Sequence, residues 1–105
     1  MNSYRYRITV EKTADANGSP VHGQSLSFSA ANHDDILAIV ERLQAKLPFD
    51  AGTVAALGVG LKLFGEVALI RRDDPLFAGI HPAIREFITQ LKQLPEREAV
   101  RGGLL

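Results

Sequence analysis

The sequence has no cysteine and no tryptophan, and it has only one methionine among its 105 residues. The absence of cysteine excludes disulfide bonds, thiolate catalysis and zinc–thiolate sites. Neither sign of charge is in excess, because twelve Lys and Arg side chains balance twelve Asp and Glu. Nucleic-acid-binding domains usually carry a basic excess, so this balance argues against nucleic acid as a partner.

The sequence also lacks a recognisable targeting segment. The N-terminal stretch MNSYRYRITV has no apolar run of the kind that a secretory signal requires. The most apolar window, residues 51–70, has the length of a membrane span, but Lys62 and Glu66 lie near its centre, where each charge is costly. We therefore expect a cytoplasmic protein with no membrane partner.

Two segments near the N-terminus alternate strictly between apolar and polar residues, which is typical of half-buried strands. The apolar positions of the two segments are Tyr4, Tyr6, Ile8 and Val10, then Leu26, Phe28 and Ala30. A two-residue turn at Asn17-Gly18 would point these two apolar sets to opposite faces. Because a one-residue shift repairs the register, we predict a bulge or a longer loop over residues 13–23.

Three helices are predicted after the strands. The first covers residues 33–47, with Asn32 as its N-cap. The second begins after Asp50 and extends to about Arg72. The third opens at His81-Pro82, where proline suits the first helical position. Strands grouped before helices predict an α+β fold.

In the predicted architecture, an antiparallel hairpin packs on the three helices and the second helix is central. The hairpin needs such support because an isolated two-stranded sheet is marginally stable. Residues 1–94 are expected to form this single domain. Residues 95–105 show no packing pattern and are expected to form a mobile tail.

The second helix is apolar around most of its circumference and contains four glycines. Helical spacing places its expected core face, with Gly60 in the middle, at Val54, Leu57, Leu61, Phe64, Val67 and Ala68. The opposite face combines small residues with two charges, at Ala55, Gly58, Lys62, Gly65 and Glu66. An interior glycine costs about 0.8 to 1.0 kcal/mol relative to alanine, so these glycines require compensation from close backbone approach.

Two interpretations of the glycine and alanine face stay open. In one, the small residues allow close packing within the chain, and Lys62 and Glu66 are an ordinary surface pair. In the other, the face is the interface of a homodimer, in which Lys62 meets the partner's Glu66 across a two-fold axis.

Few residues form a pattern with catalytic or ligand-binding chemistry. The glycines at 58, 60 and 65 have neither the spacing nor the strand-to-helix setting of a phosphate-binding loop. His33, Asp34 and Asp35 are adjacent on a helix and offer no i,i+4 pair of ligands, so no metal is expected. The sequence shows no nucleophile motif and implies no cofactor. His81, close in sequence to two aspartates, is the one candidate pocket residue.

Four stretches, SYRYRITVE, NHDDILAIVERL, GLKLFGEVAL and DPLFAGIHPAIREFI, together resemble a small bacterial family classed as a domain of unknown function with a determined structure. The resemblance covers roughly residues 3–92. It implies a compact α+β domain in a soluble bacterial protein of the cytoplasm. It implies no activity, so no catalytic residues are transferred from it.

We therefore expect a small, non-enzymatic interaction or accessory domain, with a homodimer through the glycine and alanine face as its candidate assembly. The alternative is a small-molecule-binding protein or an enzyme with a pocket near His81 and the second helix. Convergence of Lys62, Glu66 and His81 on a cavity would favour this alternative.

Overall fold

A computed structural model describes residues 2–96, so the predicted tail lies almost entirely outside the described residues. Two strands are followed by four helices, which are β1 (Tyr4–Glu11), β2 (Ser25–Asn32), α1 (Ile36–Lys46), α2 (Ala51–Ile70), α3 (Pro75–Ala78) and α4 (Ile80–Gln93). The predicted α+β class, a hairpin followed by three long helices, is confirmed. The one-turn helix α3 was not among the predicted helices. The chain divides into two compact units, residues 1–33 and residues 34–105.

The first unit is the antiparallel hairpin of β1 and β2. Ile8 lies opposite Phe28 and Val10 lies opposite Leu26, so the apolar residues of both strands share a face. The predicted long connection is also confirmed. Its tip is a turn in which the N–H of Gly18 donates to the carbonyl of Asp15, and Gly18 has a φ of 91°. Such a glycine closes a three-residue hairpin loop whose twist matches that of the strands. The packing of this hairpin on the helices stays a prediction.

Aspartate side chains begin the first two helices. Asp50 caps α2 as predicted, since its carboxylate accepts the N–H of Thr53 at 3.0 Å. The predicted cap of α1 is wrong by three residues. Asn32 is the last residue of β2, opposite Tyr4, and Asp35 instead accepts the N–H of Ala38 at 3.3 Å. The pairing of β1 with β2 thus extends to Asn32, although the local sequence preference of asparagine favours a helix cap.

A third aspartate cap divides the C-terminal part of the chain. Asp74 accepts the N–H of Leu76 at 2.9 Å and starts the one-turn helix α3, with Pro75 at its first position. Gly79 then separates α3 from α4, which begins at Ile80, one residue before the predicted start.

The second unit is built around α2, which packs against both α1 and α4 and is therefore central, as predicted. Its core is a cluster of buried aliphatic side chains from all three helices: Leu43, Leu47, Val54 and Leu91. A polar contact also connects α1 to α4. The ammonium of Lys46 donates to the carbonyl oxygens of Leu91 and Lys92, at 3.3 and 3.2 Å. A cation at the C-terminus of a helix also interacts favourably with the helix dipole.

Candidate functional site

The glycine and alanine face of α2 lies against the other helices of its own chain. Gly58 is buried, and a Cβ atom at this position would lie 2.9 Å from Cγ2 of Val40 and 3.4 Å from Cδ1 of Leu43. A Cβ at Gly65 would lie 3.8 Å from Cγ2 of Ile84, on α4. Gly58 therefore allows α1 to approach the backbone of α2, whereas a Cβ at Gly65 would make only an ordinary van der Waals contact with α4. At Gly58 the structure agrees with the first of the two interpretations, close packing within the chain, because α1 covers this residue.

The remaining residues of this face are also partly enclosed. Lys62 forms an ion pair with Asp34, with 2.6 Å between Nζ and Oδ2, and its side chain is only 14% exposed. Ala55 and Glu66 are half-buried. The cation that was expected to cross a dimer interface is thus held by a carboxylate of its own chain.

The side of α2 that faces solvent is the opposite one. We call it the outer face and define it by Ala56, Gly60, Phe64 and Val67. Phe64 is 47% exposed and Val67 is 48% exposed. Apart from the adjacent residues and the backbone of α2 itself, no described atom lies within 4 Å of a Cβ placed at Gly60.

The predicted core face of α2 was therefore only partly correct. Val54 and Ala68 are fully buried, as predicted, whereas Gly60, Phe64 and Val67 are exposed. The predicted buried side of α2 is rotated about the helix axis relative to the observed one. This difference arose because α2 is apolar almost all the way round, so that hydrophobic periodicity gives the buried side no clear direction.

Opposite charges lie at the two ends of α2. Asp50 precedes the helix, and the Thr53 hydroxyl donates to its carboxylate at 2.7 Å. This hydrogen bond lowers the pKa of Asp50 and so favours its ionised form. Arg71 follows the helix and is exposed, and its side chain makes no ion pair with any residue between 2 and 96. The peptide bond between Gly60 and Leu61 lies midway between these two charges in the sequence.

A groove of about 360 Å³ lies between α1, α2 and α4. Its apolar lining is Ile39, Leu43, Leu61, Ile88 and Leu91, and its charged lining is Asp34, Arg42, Lys46, Lys62 and Lys92. Of the three side chains expected to converge on a cavity, only Lys62 lines this groove. His81 is half-buried at the start of α4 and is not part of the lining. This groove is not evident from the sequence, because its cations come from three separate helices.

The two aspartates of the His33-Asp34-Asp35 stretch have structural roles, since Asp34 pairs with Lys62 and Asp35 caps α1. Across residues 2–96, no three His, Asp or Glu side chains are grouped so that they could hold a metal ion. By length and composition, α2 is one helix that could cross a membrane. The core helix of a soluble protein meets the same criterion, and two helices pack along one side of α2.

A hairpin followed by three long helices, with the second helix central, defines a small α+β domain. The model of the family described as a domain of unknown function with a solved structure, DUF3861, matches residues 4–93. The chain belongs to this family. It is 36% identical to a protein of unknown function from Pectobacterium atrosepticum whose crystal structure is known. That match covers 88% of this chain and 99% of the other, with a TM-score of 0.76. No curated protein matches the chain significantly.

Proposed function

We propose that this protein is a non-enzymatic interaction domain that self-associates through the outer face of α2. The observation that carries the proposal is the exposure of Phe64 and Val67 beside Gly60, where, among the described residues, no other element lies within 4 Å of a Cβ placed on the glycine. Exposed apolar surface of this kind marks interaction sites. A glycine at its centre permits two helices to come into close contact.

A second copy of the chain is the occupant that the charges favour. If a two-fold axis crosses α2 next to Gly60, the two helices run antiparallel. Asp50 then faces the partner's Arg71 at one end, and Arg71 faces the partner's Asp50 at the other. At a shallow crossing of about 20° the helix ends stay close enough for both ion pairs. A two-fold interface uses the same patch twice and must be self-complementary in this way.

The size of the outer face limits the expected affinity. The helix has 20 residues and is therefore roughly 30 Å long. One pair of such helices buries less surface than the roughly 800 Å² per partner of a standard interface. We therefore expect a weak dimer, with a dissociation constant on the order of 10 μM.

Light scattering over a dilution series from about 1 to 500 μM tests the proposal. Wild type should shift from monomer to dimer, and Gly60→Leu should remain a folded monomer, because leucine is a good helix former but blocks close approach. Leu37→Ser is the matched control. Leu37 is 72% exposed on α1, outside the outer face, so this variant should dimerise like wild type. A wild-type monomer at all concentrations, or an unchanged dimer in Gly60→Leu, refutes the proposal.

A double-mutant cycle tests the antiparallel arrangement separately. Arg71→Gln and Asp50→Ser each remove one charge of the proposed pair, and serine preserves the helix cap. Each change should weaken the dimer, and the two together should weaken it by less than the sum of their separate effects. Additive effects would exclude contact between these side chains.

The proposal places the protein in the bacterial cytoplasm. Its support is the bacterial source of the solved relative. Fractionation of bacterial cells that express the chain tests this location. Recovery of the chain in the membrane pellet would contradict it.

A further inference from the structure

We infer that the groove between α1, α2 and α4 binds a small amphipathic anion, with its apolar tail on the aliphatic floor and its anionic head at Arg42 and Lys92. This inference is independent of the proposed dimer, since no residue of the outer face lines the groove.

The groove concentrates positive charge in a chain that has no net charge. Four cationic side chains and one carboxylate line it, which leaves an excess of three positive charges. The whole chain, in contrast, is balanced. A cleft lined by one sign of charge raises the local concentration of ligands of the opposite sign. The expected ligand is therefore an anion.

Two of the four cations have partners within the chain. Lys62 is paired with Asp34, and Lys46 donates to the carbonyls of Leu91 and Lys92. Arg42 and Lys92 are exposed and form no ion pair within residues 2–96. Arg42 lies one turn before Lys46 on α1, and the Lys46 ammonium reaches the backbone of Lys92. Arg42 and Lys92 both line the groove, so their two charges are available to one anionic head group.

The floor of the groove indicates an aliphatic ligand body. It is made of isoleucine and leucine side chains. Among residues 2–96, the lining has no aromatic ring on which a base could stack and no hydroxyl or amide side chain to orient a sugar. Lining of this kind disfavours nucleotides and favours an alkyl chain. The volume of about 360 Å³ lies within the range of about 300 to 1,000 Å³ that small-molecule sites have. Decanoate, with an alkyl chain and one carboxylate, is a small ligand of the required chemistry.

Calorimetric titration with decanoate tests the inference, alongside acetate and decanol. Decanoate should bind, whereas acetate lacks the tail and decanol lacks the charge, so each should bind at least about tenfold more weakly. Decyl phosphate distinguishes the source of the anion. Tighter binding of decyl phosphate than of decanoate assigns the site to alkyl phosphates, and the reverse assigns it to carboxylates. Absence of decanoate and decyl phosphate binding, or equal binding of decanol, overturns the inference.

Charge-neutralising variants locate the site. Arg42→Gln and Lys92→Gln should each weaken decanoate binding by about fivefold or more, because each removes a charge-assisted hydrogen bond. Arg85→Gln is the matched control, since Arg85 is an exposed cation on α4 that does not line the groove. Equal loss of binding in the control, or full binding by the Arg42→Gln/Lys92→Gln double variant, refutes the assignment. Circular dichroism verifies that each variant is folded.

Discussion

Gly58 and Gly60 lie two residues apart on α2, and the structure predicts opposite outcomes when each is changed to alanine. Both changes remove the same conformational disadvantage of glycine, which is about 0.8 to 1.0 kcal/mol in a helix interior. At Gly60 the new Cβ meets nothing within 4 Å. Gly60→Ala should therefore raise the free energy of unfolding by about 0.8 to 1.0 kcal/mol.

At Gly58 the same gain is opposed by steric overlap. The new Cβ would lie 2.9 Å from Cγ2 of Val40, a β-branched side chain with little freedom to move aside. Overpacking of this kind costs about 1 to 3 kcal/mol. Gly58→Ala should thus be neutral or destabilise the protein by up to about 2 kcal/mol. The gain in helix propensity is the same in both variants. The difference between their free energies of unfolding, about 1 to 3 kcal/mol, therefore measures the packing alone.

Urea unfolding at about 1 μM protein, below the expected range of self-association, measures both free energies. The background variant Val40→Ala provides the control, because it removes the obstructing methyl groups. In that background Gly58→Ala should stabilise the protein as Gly60→Ala does. Equal stabilisation by the two glycine substitutions in the wild-type background would show that α1 does not press on Gly58, and the reasoning would then be refuted.

Three further predictions concern exposed and charged positions of the second unit. Phe64→Ser should weaken the proposed dimer by at least about tenfold in sedimentation, because roughly 100 Å² of exposed apolar surface is removed from each copy; an unchanged dimer would contradict the interface. Asp34→Asn should lower the free energy of unfolding in urea by about 1 to 2 kcal/mol, because Lys62 loses a charged partner while it stays largely buried; unchanged stability would contradict this. The pKa of Asp50 is lowered from its usual value of 3.8 in the folded protein, so the ionised carboxylate stabilises the fold at pH values above 3.8. This stabilisation disappears as the pH falls through the lower pKa of the folded state. Thr53→Ala should therefore lower the melting temperature at pH 7 more than at pH 2, and Thr53→Ser should not; an effect independent of pH would contradict this assignment.

The limits of sequence reasoning appear most clearly at the helix caps. Asp50 was predicted correctly, because it lies two residues after Pro48, which cannot continue the first helix, and directly before the most apolar window of the chain. Asn32 was predicted as a cap and is a strand residue. Asparagine is common at helix caps and in turns, so its local preference suggested a cap. Pairing with Tyr4 on the other strand instead makes Asn32 part of β2. Local preference cannot supply this information.

The candidate sites show the same limits. Arg42 and Lys46 lie four residues apart, so their common position on α1 can be read from the sequence. Lys92 lies nearly 50 residues further along the chain, so its proximity to these two residues depends on how α1 and α4 pack. The glycines of α2 were identified as sites of close approach, but the sequence left open whether the neighbour of Gly58 is another helix of the chain or a second copy. Gly58 contacts α1, and Gly60 faces solvent.

By itself, the sequence determined the order of strands and helices, the shared apolar face of the hairpin and the long connection between its strands. These features follow from alternation, helical spacing and helix-ending residues, all of which act over a few neighbouring positions. Only the tertiary structure decided which side of α2 is buried. A helix that is apolar around its circumference gains similar free energy from burying any of its sides, so the shapes and charges of α1 and α4 select the orientation. Val40 fits against Gly58, Ile84 lies against Gly65, and Asp34 binds Lys62.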